Sequence, residues 1–148
     1  MNYKPIKILL VEDNPADIRL ATEALKERGV ESDLSVVTDG MDAINFLKRT
    51  GKFSDSPRPE LILLDLNLPR KSGFDILQVL KADPNLKSIP VIILTTSSAD
   101  EDIAKSYSLN ANCFVTKPTD LAQFLEVVKT IEEFWLTIAS LPVLSGRV

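Results

Sequence analysis

Five short apolar runs alternate with five stretches of helical periodicity, and this alternation constrains the fold more than any other feature of the chain. Ile6 to Val11 is apolar except for Lys7, the pattern of a strand buried on both faces of a parallel sheet. Asn14-Pro15 opens a helix whose apolar positions Ile18, Ala21 and Leu25 recur at helical spacing and which closes at Gly29. A second strand is expected over 33–37. Asp39 or Gly40 caps the next helix, which runs through Ala43, Ile44 and Leu47 to near Gly51. Residues 51–59 (GKFSDSPRP) form a loop by composition, longer than an ordinary connection. Leu61–Leu64 reads as the central strand. Pro69 and Gly73 bracket a turn before a helix over 74–81, which Asp83-Pro84-Asn85 ends. A strand over 91–94, a helix over 99–109, a strand over 113–116 and a last helix from Thr119 or Asp120 complete the pattern.

Strict βαβα alternation implies an α/β domain with a parallel sheet and right-handed crossovers. The 148 residues suit one compact domain, and 45% hydrophobic content is enough to fill its core. Sheets of this kind bind ligands at the carboxyl ends of their strands. At those ends stand Glu12 and Asp13 after the first strand, Asp65 after the third, Thr95 and Thr96 after the fourth and Lys117 after the fifth. Thr38 and Asp39 end the second and receive no role. Taken singly, each has an ordinary explanation: an acid at a strand end caps a helix, Lys-Pro is a turn, a threonine is commonplace. Their joint occurrence at four of five strand ends carries the weight. Clustered carboxylates repel one another and need a proton or a cation. Mg²⁺ takes a few carboxylates with a backbone oxygen and water and leaves room for a phosphoryl oxygen. A carboxylate can also act as nucleophile and form an acyl phosphate, with Lys117 and the Thr95 hydroxyl on the phosphoryl oxygens.

Several function classes are excluded or disfavoured. The chain has no histidine, which removes Ser-His-Asp and Cys-His catalysis and His-ligated zinc. A net charge of −4 argues against nucleic acid or an anionic membrane as the main partner. The single cysteine, Cys113, cannot form an intramolecular disulfide, which fits a reducing cytoplasm. No apolar run approaches membrane-spanning length, and the N-terminus is neither a signal peptide nor an anchor.

ILLVEDN (8–14), LILLDLNLPRKSG (61–73), PVIILTT (90–96) and FVTKP (114–118) together resemble the receiver domain of two-component response regulators, over 6–128. The resemblance implies a flavodoxin-like (CheY-like), doubly wound sheet of five parallel strands in the order 2-1-3-4-5. It implies Glu12 and Asp13 as the acidic pair, with Asp13 preferred as direct ligand of Mg²⁺ (or Mn²⁺). Asp65 is then the phosphoacceptor and a metal ligand, and the Asn67 backbone carbonyl a further ligand. Thr95 is the switch hydroxyl, Phe114 the aromatic switch residue, Lys117 the partner of the phosphoryl group, and Lys117-Pro118 a cis peptide. The long 51–59 connection and the tail TIEEFWLTIASLP (130–142) make the chain similar to the small response regulators of cyanobacterial and bacterial phytochromes, whose donor is a light-sensing histidine kinase.

The whole chain, 1–148, is expected to be one receiver domain with a C-terminal helical extension over 129–148. Phe124, Val128, Ile131, Trp135 and Ile138 recur at helical spacing, and Leu121, Leu125, Val127, Phe134 and Leu141 widen the face. One helix on one sheet needs a single stripe. The surplus fits either a longer helix folded back on its own domain or a homodimer interface anchored by Phe134 and Trp135. With no output domain attached, the signal is expected to pass by protein contact. The chain is then not an enzyme beyond accepting and losing its own phosphoryl group. A dehalogenase-type phosphatase would need an acid where Asn67 stands, and a flavin carrier would need a hydroxyl-rich loop where Asn14-Pro15-Ala16-Asp17 stands. A receiver-like adaptor independent of phosphorylation is the remaining alternative.

Overall fold

The computed structural model describes residues 5–27, 29, 32–96, 99–109, 111–117 and 120–139, with backbone only at 100, 113, 131, 132 and 134–139. Strands β1 (Ile6–Val11), β2 (Ser32–Val37), β3 (Leu61–Leu64), β4 (Val91–Thr95) and β5 (Cys113–Thr116) form one parallel sheet in the order 2-1-3-4-5. Helices α1 (Pro15–Glu27), α2 (Gly40–Lys48), α3 (Gly73–Ala82), α4 (Asp100–Ser108) and α5 (Leu121–Ala139) connect and follow the strands. The expected alternation and strand order are therefore observed. Thr95 belongs to β4 rather than following it, and α5 runs well past the single stripe that would cover the sheet.

Alternate strand residues point to opposite faces, and the core divides accordingly. Leu9, Val11, Ile62, Leu64 and Ile93 pack with Phe46 and Leu47 of α2 and Ile76, Leu77 and Leu80 of α3. Ile8, Leu10, Leu61, Leu63, Ile92 and Leu94 pack with Ala21, Ala24 and Leu25 of α1 and Phe124, Val127 and Val128 of α5. All four residues of β3 are buried, which explains why it reads as an unbroken apolar run. Each such side chain stabilises the fold by about 1.5–3 kcal/mol.

Register decides what meets at the carboxyl rim. Val11 pairs with both Val37 and Leu64, Leu64 pairs with Ile93, and Thr95 pairs with Thr116. The residues that follow, Glu12, Asp65 and Lys117, are thereby brought side by side. The loop after β2 is also tied to this rim: the Gly40 N–H donates to the Pro69 carbonyl at 3.0 Å. Asp39 caps α2 by accepting from the Asp42 N–H at 2.8 Å.

The 51–59 connection is more ordered than its composition implies. A 3₁₀ turn spans Gly51–Phe53, and Phe53 lies 5.6 Å from the Phe46 ring, centroid to centroid. The Ser56 hydroxyl donates to the Phe46 carbonyl at 2.7 Å and Arg58 to the Leu47 carbonyl at 3.0 Å. The segment thus brings side-chain donors to carbonyls in the last turn of α2. Among the described residues, no helix is long and apolar enough to cross a membrane.

A Cβ at Gly40 would fall on the backbone carbonyl of Lys71, a group held in the β3–α3 turn and unable to yield as a side chain could. Gly40→Ala is expected to destabilise the protein by about 1–3 kcal/mol, measured as a lowered urea midpoint with unchanged slope.

Candidate functional site

Glu12 leaves β1 with its side chain buried, and its N–H donates to the Val37 carbonyl at 3.0 Å. Asp65 is likewise buried, with its N–H on the Val11 carbonyl at 3.1 Å. Behind Asp65 the chain turns so tightly that a Cβ at Gly73 would come within 2.5 Å of the Asp65 carbonyl and 2.7 Å of Leu66 Cα. Only glycine lets α3 start there. Ser72 and Asp75 close that helix start as a reciprocal capping box. The Asp65 side chain is therefore set by a buried strand on one side and a capped helix on the other.

Glu12, Asp13 and Asp65 each offer a carboxylate oxygen, and these atoms all lie within 4.8 Å of one another. Glu12 and Asp65 are buried while Asp13 is exposed. Three hard oxygen donors with one open side suit a divalent cation, so the residues present fit such an ion. Asn67 lies two residues beyond Asp65, its N–H donating to Asp65 Oδ1 at 3.1 Å.

Lys117 Nζ enters this group from β5. It lies 2.7 Å from Glu12 Oε1, 3.1 Å from Asp65 Oδ2 and 2.8 Å from Asp17 Oδ2, with its side chain only 8% exposed. Burial opposes its charge, but hydrogen bonds to Asp17 and Glu12 outweigh that and raise its pKa. Burial acts the other way on Glu12. Although Lys117 and the Asn14 N–H stabilise its charge, desolvation and the nearby Asp65 push its carboxyl up to about 7.

Thr95 is fully buried at the end of β4, with its hydroxyl 3.5 Å from the Asn67 amide, the long limit of a hydrogen bond. The Lys117 N–H donates to the Thr95 carbonyl at 2.6 Å. Phe114 is half-buried against the α2–α3 side of the core, and its N–H donates to the Tyr107 hydroxyl at 3.2 Å. Glu12, Asp13, Asp65 and Lys117 thus converge, Thr95 is tied to them through the Asn67 amide and the Lys117 N–H, and Phe114 lies within β5. The cis bond expected at Pro118 lies outside the described residues, as do the side chains of Phe134 and Trp135.

Two elements escaped the sequence reading. Asp17, one helical turn beyond Asp13, joins the Lys117 cluster; its position in the first turn of α1 was the available signal. Asp39, read only as a candidate helix cap and given no role at the rim, receives Arg70 Nη2 at 2.8 Å on both oxygens, and Asp42 receives the same nitrogen at 3.2 Å. Burial is the largest single influence on Asp39 and raises its pKa, but the hydrogen bonds from Arg70 and the Asp42 N–H, with the Arg70 charge, together outweigh it and lower the pKa. Arg70 holds a left-handed backbone, φ 66°, for which sequence offers no clear sign.

Comparisons with known proteins bear on the family and the fold. The family model of the response regulator receiver domain matches residues 8–129. Response regulator Rcp1 of Synechocystis sp. is 47% identical over 138 residues, 93% of this chain and 94% of that protein. The phosphorylated cyanobacterial phytochrome response regulator RcpA superposes with a TM-score of 0.86 at 50% identity, covering 94% of this chain and 99% of that one. The Mn²⁺-bound form of Rcp1 gives 0.84 at 47%, covering 93% and 99%.

The raised Glu12 pKa has a signed consequence. Between its ordinary value of 4.5 and about 7, the folded state binds a proton that the unfolded state releases. This contribution is fully present below pH 4.5 and is lost as pH rises through 7. Without divalent metal, the wild-type urea midpoint should fall more from pH 5 to pH 8 than that of Glu12→Gln. The difference is at most about 3 kcal/mol and should shrink when Mg²⁺ is added.

Proposed function

The chain belongs to the response regulator receiver domain family, and from that premise we propose that it is a one-domain phosphorylation switch whose acceptor is Asp65. The observation that carries this reading is a buried carboxylate, Asp65, held 3.1 Å from a buried ammonium, Lys117, inside a group of three carboxylates. A divalent cation on Glu12, Asp13, Asp65 and the Asn67 carbonyl would supply the charge neutralisation that phosphoryl transfer requires. The chain's own groups do the rest. An Asp65 oxygen attacks phosphorus as the bond to the donor nitrogen breaks, giving an acyl phosphate and a free donor imidazole. Lys117 neutralises one phosphoryl oxygen, and the buried Thr95 hydroxyl donates to another.

The receiver family implies a histidine kinase as donor, and the 148 residues themselves hold no histidine. The similarity to RcpA and Rcp1 supports a phytochrome-type light sensor as that kinase, and a cytoplasmic setting follows from such a partner. The chain turns over no external substrate; it accepts and later loses one phosphoryl group. Thr95 and Phe114, on adjacent strands, move together when the group arrives and alter the face formed by α4, β5 and α5. Signalling then proceeds by protein contact, without nucleic acid or membrane. The α5 helix continues past the family match at 129 as far as Ala139, which supports its use as a homodimer contact anchored by Phe134 and Trp135.

Incubation with a small acyl-phosphate donor and Mg²⁺ should add one phosphoryl mass to the intact protein and none to Asp65→Asn. An unchanged wild-type mass, or equal labelling of the variant, rejects the acceptor assignment. Trp135→Ala should sediment as a monomer where the wild type sediments as a dimer; identical sedimentation of the two removes the interface.

A further inference from the structure

The Lys117 ammonium has three N–H donors, and three carboxylate oxygens lie within 3.1 Å of it, from Glu12, Asp17 and Asp65. These three acceptors differ in what happens to them when the switch is used. Resting on the reading of Asp65 as acceptor, the Asp65 oxygen passes to phosphorus and the Glu12 carboxylate turns to the cation. Asp17 belongs to neither group. It stands on α1, outside the set of carboxylates whose oxygens meet within 4.8 Å. Its backbone is fixed by Asn14, whose Oδ1 accepts from the Ala16 and Asp17 N–H groups at 2.9 and 3.3 Å. Its side chain is 15% exposed, so its pairing with Lys117 is largely sheltered from solvent.

We propose that Asp17 is a positioning residue for phosphoryl transfer: it tethers the Lys117 ammonium from α1, leaving the remaining donors aimed at Asp65 and at the phosphoryl group that replaces it. A long, four-carbon lysine has several rotamers, and two of its three partners are withdrawn as the reaction proceeds. A fixed third partner keeps Nζ in place through that exchange. Misplacement of a reacting group by about 1 Å costs up to about a hundredfold in rate, so loss of the tether is read in the rate constant. Asp17 is not among the carboxylates that fit a divalent ion, so it supplies no metal ligand and Mg²⁺ affinity is expected to hold.

Two readouts test this on the full chain. In metal-free protein at low temperature, the ¹⁵N-labelled Lys117 ammonium, assigned by its loss in Lys117→Arg, should give a slowly exchanging signal. Asp17→Ala should broaden or abolish it, while Asp17→Asn, whose amide oxygen still accepts, should restore it in part. In the second readout, Asp17→Ala should lower the rate constant for phosphoryl acceptance from a small acyl phosphate by about tenfold. Asp17→Asn should recover part of the rate, and the Mg²⁺ dissociation constant should stay at the wild-type value. An unaltered ammonium signal or an unaltered rate in Asp17→Ala overturns the proposal, as does a rate loss explained wholly by weaker Mg²⁺ binding. If wild type takes up no phosphoryl group, the reading of Asp65 fails, and the ammonium signal still decides whether Asp17 holds Lys117.

Discussion

Repulsion among carboxylates at the rim of a parallel sheet is the constraint from which the rest of this structure follows. Glu12 and Asp65 are buried beside one another, an arrangement that is costly unless a cation shares the space. In this structure that cation is the Lys117 ammonium, itself nearly buried and kept charged by the same acids. Neither charge could sit there without the other. Glu12 carries the residual cost, with its carboxyl pushed up to about 7. An arriving divalent ion therefore meets a site that already favours positive charge.

Around this cluster the backbone is unusually well fixed. Asp65 is gripped between the β1 carbonyl at Val11 and the α3 start at Gly73. The turn that carries Asn67 is fastened to α2 twice, by the Gly40 N–H on Pro69 and by Arg70 on Asp39. The Arg70–Asp39 pair is more than half exposed on the arginine side, so salt screens it and it adds little stability. Its value is geometric: it holds a residue in a left-handed conformation that arginine adopts only at a cost.

Much of this was legible from the chain alone. The apolar runs fixed the strands because a parallel sheet buries both faces, and the acids, hydroxyl and lysine at their ends marked the rim. What remained hidden has a common physical cause. Asp17 and Arg70 act through side-chain reach across elements, which no local periodicity reports. The 51–59 segment looked like a free loop because Gly, Ser and Pro signal turns. Its order comes instead from Phe53 packing on Phe46 and from Ser56 and Arg58 on the end of α2. Asp39 read as an ordinary cap, which it also is; its second partner lies 31 residues away.

The sheet order draws Glu12 from the first strand and Lys117 from the far side of the last onto one group of atoms. A chain emerging from the ribosome carries Glu12, Asp13, Asp17 and Asp65 long before Lys117 is made. Until β5 docks, those acids stand without their internal cation, and no partial product can assemble the charge cluster. The charge cluster is therefore complete only in the finished fold: a chain cut short before Lys117 has the acids but not the ammonium that lies among them.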